Sequence, residues 1–131
     1  MSEKKLEGAG LRGQVAGKTS LSTVGKAGKG LTYRGYPIEI LSEKAKFEEV
    51  AYLLMYGVLP NQTEFNEYSN KLISMRALPE SLIEVLERIP AEAHPMDVMR
   101  TGCSMLGNIE PEGDFSNQQE SADRILATMA S

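Results

Sequence analysis

At 131 residues the chain fits one domain, long enough for a core of its own. Its 14 basic and 18 acidic residues leave a net charge of −4 and a pI near 5.1, which excludes the positive field that holds nucleic acid or an anionic membrane. The single cysteine, Cys103, excludes an internal disulfide and a cysteine-based metal cluster, so a reducing cytoplasm fits better than secretion, with Cys103 expected as a small buried hydrophobe.

Met1 to Glu7 carries Lys4 and Lys5 but no apolar h-region, and no window approaches the roughly 18 apolar residues of a membrane span. Residues 1–17 are rich in Gly, Lys and Glu; too little apolar surface is present to offset the ordering entropy, and a flexible N-terminal arm is expected. Thr19 to Val24 and Leu31 to Tyr36 are β-prone runs on either side of Gly25-Lys-Ala-Gly-Lys-Gly30, the pattern of a β-hairpin. That loop is read as a turn. A phosphate cradle needs the G-x-x-x-x-G-K-[ST] pattern and a helix starting directly after it, and both are missing.

Pro37 to Ala45 is expected as a short helix with Pro37 at N1. Phe47, Val50, Ala51 and Leu54 then fall at i, i+3, i+4 and i+7, one apolar stripe of a helix that Gly57 ends, although Lys46 offers no capping side chain at its start. Asn61 with Glu64 forms a capping-box pattern ahead of Phe65, Tyr68, Leu72 and Met75. Pro79 restarts the chain, and Leu82, Val85, Leu86 and Ile89 repeat the stripe up to Pro90. From His94 to Ile109, Met96, Met99, Cys103 and Leu106 mark one side and Val98, Gly102, Met105 and Ile109 another, which predicts the central helix of this piece, buried in a body larger than these residues readily supply. Glu110 to Asp114 is a loop, and Asn117 to Ser131 resumes a helix with Ala122, Ile125 and Met129 in register. That last helix lacks a stop signal, the expectation for an element that continues.

The run Leu31-Thr-Tyr-Arg-Gly-Tyr-Pro37, followed by Phe47-Glu-Glu-Val-Ala-Tyr-Leu-Leu54 and Gly57-Val-Leu-Pro60, resembles the opening of the citrate synthase family, in particular its 2-methylcitrate synthase branch. Thr19-Ser-Leu-Ser-Thr-Val-Gly-Lys26 ahead of it, and His94-Pro-Met-Asp-Val-Met-Arg-Thr101 with Leu106-Gly107 behind it, agree in order and spacing. The resemblance implies a mainly α fold with a short β-hairpin near the start. It also implies that residues 18–131 are the N-terminal part of a large helical domain, because family members are about two to three times longer than a chain of one-domain size.

The implied chemistry is condensation of propionyl-CoA, or acetyl-CoA in ordinary citrate synthases, with oxaloacetate, followed by thioester hydrolysis. Such enzymes use an acyl-CoA co-substrate without a metal or redox cofactor and work as homodimers, here expected in the cytoplasm. A carboxylate removes the proton next to the thioester while two histidines stabilise the enol and polarise the ketone. This chain has one histidine, His94, outside the family's catalytic motifs, so no catalytic residue is expected within it. His94 reads as a structural residue at a helix start, and Asp97 with Arg100 as an i, i+3 structural pair. Lys71 and Arg76 are the candidates for holding a dicarboxylate, with a solvated helix face as the plainer alternative. Tyr33, Tyr36, Tyr52 and Tyr56 read as core or interface anchors. The competing reading from another class is a non-catalytic helical interaction module.

Overall fold

The computed structural model describes residues 15, 17–25, 30–129 and 131. Most of the expected N-terminal arm, and Lys26 to Lys29 of the glycine-rich loop, lie outside them. The chain opens with three two-residue strands, β1 (Ser22–Thr23), β2 (Thr32–Tyr33) and β3 (Tyr36–Pro37), antiparallel in the order β1-β2-β3. Ser22 pairs with Tyr33, and Tyr33 in turn with Tyr36. The run expected as one strand, Leu31 to Tyr36, is therefore two. Arg34 and Gly35 both take positive φ, 49° and 90°, the two-residue turn that matches the twist of a tight hairpin.

Six α-helices follow among the described residues: α1 (Ile38–Lys44), α2 (Phe47–Tyr56), α3 (Gln62–Ser74), α4 (Glu80–Glu87), α5 (Pro95–Ile109) and α6 (Gln118–Thr128), the last entered through a 3-10 turn at Phe115–Asn117. The fold is mainly α with a short hairpin region. Pro37 is not at N1 but is the last residue of β3 and the N-cap of α1, because its extended ψ of 136° keeps it in the sheet. Lys46 cannot accept a hydrogen bond from the start of α2. Its own N–H instead donates to Glu49 Oε2 at 2.7 Å, so half of a capping box survives without a capping side chain. Gly57 closes α2 in the left-handed region at φ 90°, with its N–H donating to Leu53 O.

Asn61 caps α3 on both sides: its Oδ1 accepts from the Thr63 and Glu64 N–H groups, and Glu64 Oε2 accepts from the Asn61 N–H at 2.8 Å. α3 buries Tyr68 and Leu72 against Ala51 of α2 and Ala127 of α6, with Tyr52, Met75 and Leu126 packed around them. α5 is not the central helix among these residues, which leave much of its apolar surface uncovered. Only Gly102 and Leu106 are buried, while Met96, Met99 and Cys103 are exposed, because within these residues α5 packs chiefly on α4. Cys103 is thus not a core residue. In α6 the expected stripe is also displaced: Ile125 is exposed and Asp123, Ala127 and Thr128 face inward.

No described helix is long and apolar enough to cross a membrane. Replacing Asn61 with Ala removes an acceptor for two orphan N–H groups and is expected to destabilise the fold by about 1 kcal/mol. Urea unfolding followed by far-UV circular dichroism should show a lower midpoint with an unchanged m-value.

Candidate functional site

Helix α6 carries two consecutive ionic residues that point to different neighbours, since successive helix positions are about 100° apart. Asp123 shares the inward stripe with Ala127, one turn later, and is completely buried at 0% exposure. α2 and α3 present its partners by the same periodicity. Tyr52 and Tyr56 are i and i+4 on α2, and Tyr68 and Lys71 are i and i+3 on α3.

The Asp123 carboxylate accepts from three groups: Tyr68 Oη at 3.0 Å on Oδ1, and Tyr56 Oη at 3.1 Å and Lys71 Nζ at 2.8 Å on Oδ2. Lys71 Nζ also donates to Glu120 Oε2 at 2.6 Å. The three tyrosine rings pack together, Tyr52 on Tyr56 stacked at 4.4 Å between centroids and Tyr68 edge-on to both at 5.3 and 5.7 Å. Burial, then the hydrogen bond to Asp123, pushes the Tyr68 phenol well above its ordinary value and Tyr56 up as well. For Lys71 burial works the other way, lowering the pKa. The hydrogen bonds to Asp123 and Glu120 and their negative charges together outweigh it, and Lys71 is held more firmly protonated.

Arg124 forms the second constellation. Its Nη2 and Nε meet the Glu110 carboxylate at 2.7 and 2.8 Å in a bidentate pair, and its Nη1 donates to Met75 O and to Ala77 O just past the end of α3. Glu110 is the C-cap of α5. One guanidinium therefore neutralises carbonyls beyond one helix and a carboxylate at the end of another. The hydrogen bond from Arg124 holds the Glu110 carboxyl below its ordinary range, and the same bond raises Arg124. Beside this pair a groove of about 720 Å³ opens, with Met75, Cys103, Leu106 and Ile125 among its apolar walls.

The sequence-predicted residues fall into separate places. Lys71 lies in the Asp123 network, and Arg76 lies 3.8 Å from Glu48 of α2. Both cations already face protein carboxylates, and they do not converge on one recess. His94 Nδ1 accepts from the Met96 N–H at 3.2 Å and caps α5, while Asp97 and Arg100 pair at 3.0 Å on its exposed face. Among the described residues no three His, Cys, Asp or Glu side chains are grouped to hold a metal ion. Sequence reasoning missed Asp123, Tyr68 as its donor, Arg124 and Glu110. The available signal was Asp123 itself, an acidic residue in the same helical stripe as Ala127.

Chemically, both constellations are closed. Asp123 has three donors and no solvent, so it cannot take a proton from a substrate without losing the contacts that hold three helices together. The groove beside Arg124 has a mixed lining, apolar Met75, Leu106 and Ile125 together with polar Glu112, Asn117 and Gln118, and its one guanidinium is already paired with Glu110.

The family model for "Citrate synthase, C-terminal domain" matches residues 10–131. Over 128 residues the chain is 65% identical to a 2-methylcitrate synthase of Shewanella oneidensis, a match that covers 98% of this chain and 34% of that protein. It is 45% identical over 120 residues to 2-methylcitrate synthase 2 of Corynebacterium glutamicum, covering 92% of this chain and 31% of that one. Among solved structures, citrate synthase from Thermotoga maritima superposes with a TM-score of 0.78 at 32% identity, over 92% of this chain and 31% of that chain. The chain spans about a third of the length of the curated relatives it matches.

Replacing Asp123 with Ala leaves two phenols and an ammonium without their shared acceptor. The expected loss of stability is about 3 kcal/mol or more, the scale for removing one partner of a buried pair, and is read by chemical denaturation. In the same variant the Tyr56 and Tyr68 phenols should ionise at lower pH than in the parent, which an alkaline titration followed by the ultraviolet absorbance of phenolate resolves. The Arg124–Glu110 pair sets an acid limit. Because folding lowers the Glu110 pKa from 4.5, its stabilisation is complete above that value and is lost as pH falls through the folded pKa. The stability gap between the parent and Glu110→Gln should therefore be open at neutral pH and close in acid.

Proposed function

The chain belongs to the citrate synthase family, and from that premise we propose that it forms the N-terminal third of a 2-methylcitrate synthase. In this reading the assembled enzyme joins the α-carbon of propionyl-CoA to the ketone carbon of oxaloacetate, and water then cleaves the thioester to give 2-methylcitrate and free CoA. The observation that carries it is the 65% identity, sustained over 128 residues, to a protein named for that activity. Acyl-CoA is a co-substrate here, and the reaction draws on no metal or redox cofactor.

The role of these residues is to build and brace the scaffold. The base that deprotonates the thioester and the two histidines that stabilise charge belong to polypeptide beyond them, because the one histidine present caps α5 and the buried carboxylate is fully engaged. The chain alone is accordingly inactive. Lys71 acts in this reading as a cation that fixes α6 to α3, and Arg76, exposed past the end of α3, approaches Glu48 of α2, roles supported by their pairing with Asp123, Glu120 and Glu48. The enzyme is a cytoplasmic homodimer. Apolar side chains left uncovered on α5, Met96 at 66% exposure and Met99 beside it, support a partner surface on that helix. A citrate synthase using acetyl-CoA is the second reading, favoured by the 32% identity to the Thermotoga maritima citrate synthase.

The test is an exchange. This chain replaces the matching third of the Shewanella oneidensis enzyme, and condensation is followed by release of CoA from propionyl-CoA or acetyl-CoA with oxaloacetate. The expected hybrid keeps kcat/KM for propionyl-CoA within about tenfold of the parent, a change of some 1.4 kcal/mol or less in transition-state stabilisation. A folded dimeric hybrid without condensing activity would refute the reading. One that prefers acetyl-CoA would move the assignment to citrate synthase, and turnover by the isolated 131-residue chain would overturn the location of the catalytic groups.

A further inference from the structure

The buried cluster of Ala51, Tyr68, Leu72 and Ala127 draws on α2, α3 and α6 alone. α4 and α5 bury a separate set, Leu82 on one helix and Gly102 with Leu106 on the other, and pack chiefly on each other. At their crossing the backbone of Gly102 lies close to Leu86: a Cβ there would stand 3.6 Å from its Cδ2. The groove of about 720 Å³ runs along α5 and α6, with Leu106 of the second unit and Ile125 of the first on its walls.

Arg124 spans the two units. From α6 it reaches Glu110 at the end of α5 with one side of its fork, and Met75 O and Ala77 O behind α3 with the other. Among the described residues no other ion pair or side-chain hydrogen bond joins α4 or α5 to α2, α3 or α6. Side-chain bonding within α5 is local, Thr101 to Asp97 O and Asn108 to Ser104 O. Two packed sets of helices that flank a groove, with one charged fork as the polar side-chain link between them, are an arrangement in which local opening can be independent of global unfolding.

We propose that α4–α5 and α2–α3–α6 are two cooperative units coupled through the Arg124 guanidinium, so that breaking its link to Glu110 lets α4–α5 open while the tyrosine-lined body stays folded. The Arg124 fork is the coupling device, and the tilt of α5 over the groove is set by it.

Amide hydrogen exchange read by mass spectrometry on the whole chain tests this, in the parent, Arg124→Gln and Glu110→Gln. Both variants are expected to speed exchange across α5 by about tenfold or more, the factor set by losing a charge-assisted hydrogen bond, and to leave the α2 and α3 amides around Ala51, Tyr68 and Leu72 at the parent rate. Glu110→Gln is the decisive variant, because Arg124 keeps its bonds to Met75 O and Ala77 O and the end of α3 stays capped. Equal acceleration in all helices of Glu110→Gln, or its global unfolding, would mean one cooperative unit and would overturn the proposal. An unchanged rate in α5 would overturn it as well, since the fork would then carry no coupling.

Discussion

A carboxylate with no access to water governs the arrangement of this chain. Burying a lone charge is costly enough that Asp123 can sit at 0% exposure only with donors on every side, and those donors come from two other helices. Tyr56 fixes α2, and Tyr68 with Lys71 fixes α3. None of the three helices can slide by a residue without stranding the acid or one of its donors. An apolar contact of the same size tolerates such a slip, because hydrophobic attraction is not directional.

The neighbouring Arg124 extends this constraint beyond the tyrosine cluster. Met75 O at the C-cap of α3 and Ala77 O beyond it carry the partial negative charge of carbonyls, and the Glu110 side chain closing α5 carries a full one. A planar guanidinium suits two such acceptors at once, where an ammonium would present a single point charge without a bidentate face. Asp123 and Arg124 are adjacent in sequence but serve different sides of α6, which makes that helix the common reference for the rest.

The sequence showed local structure better than it showed the network. Asn61 with Glu64, Gly57 and the prolines at 60, 79 and 90 are short-range signals, and the helices that they bound lie where these residues place them. Arg34 escaped notice because a non-glycine residue at φ 49° is uncommon, and Leu31 to Tyr36 therefore read as one strand. The methionines and Cys103 of α5 made it the expected central helix, yet position depends on what lies opposite, and among these residues that is mainly α4. Asp123 was hidden for the converse reason. A charge is assigned to the surface by default, and only its donors, 52 to 67 residues earlier in the chain, reveal otherwise.

Why a charged anchor stands at this point follows from how little else α6 offers. Its fully buried positions other than Asp123 are Ala127 and Thr128, whose side chains are small, with Leu126 only partly buried beside them, and a buried methylene contributes only about 0.8 kcal/mol. Ile125, its largest aliphatic residue beside Leu126, points out toward the groove at 41% exposure. Apolar burial on that scale attracts the helix without selecting its rotation. The Tyr–Asp–Lys contacts supply the selection, and they account for Lys71 facing Asp123, whereas Arg76 stays exposed 3.8 Å from Glu48. A cation held by a buried protein carboxylate orients the helices that carry the pair.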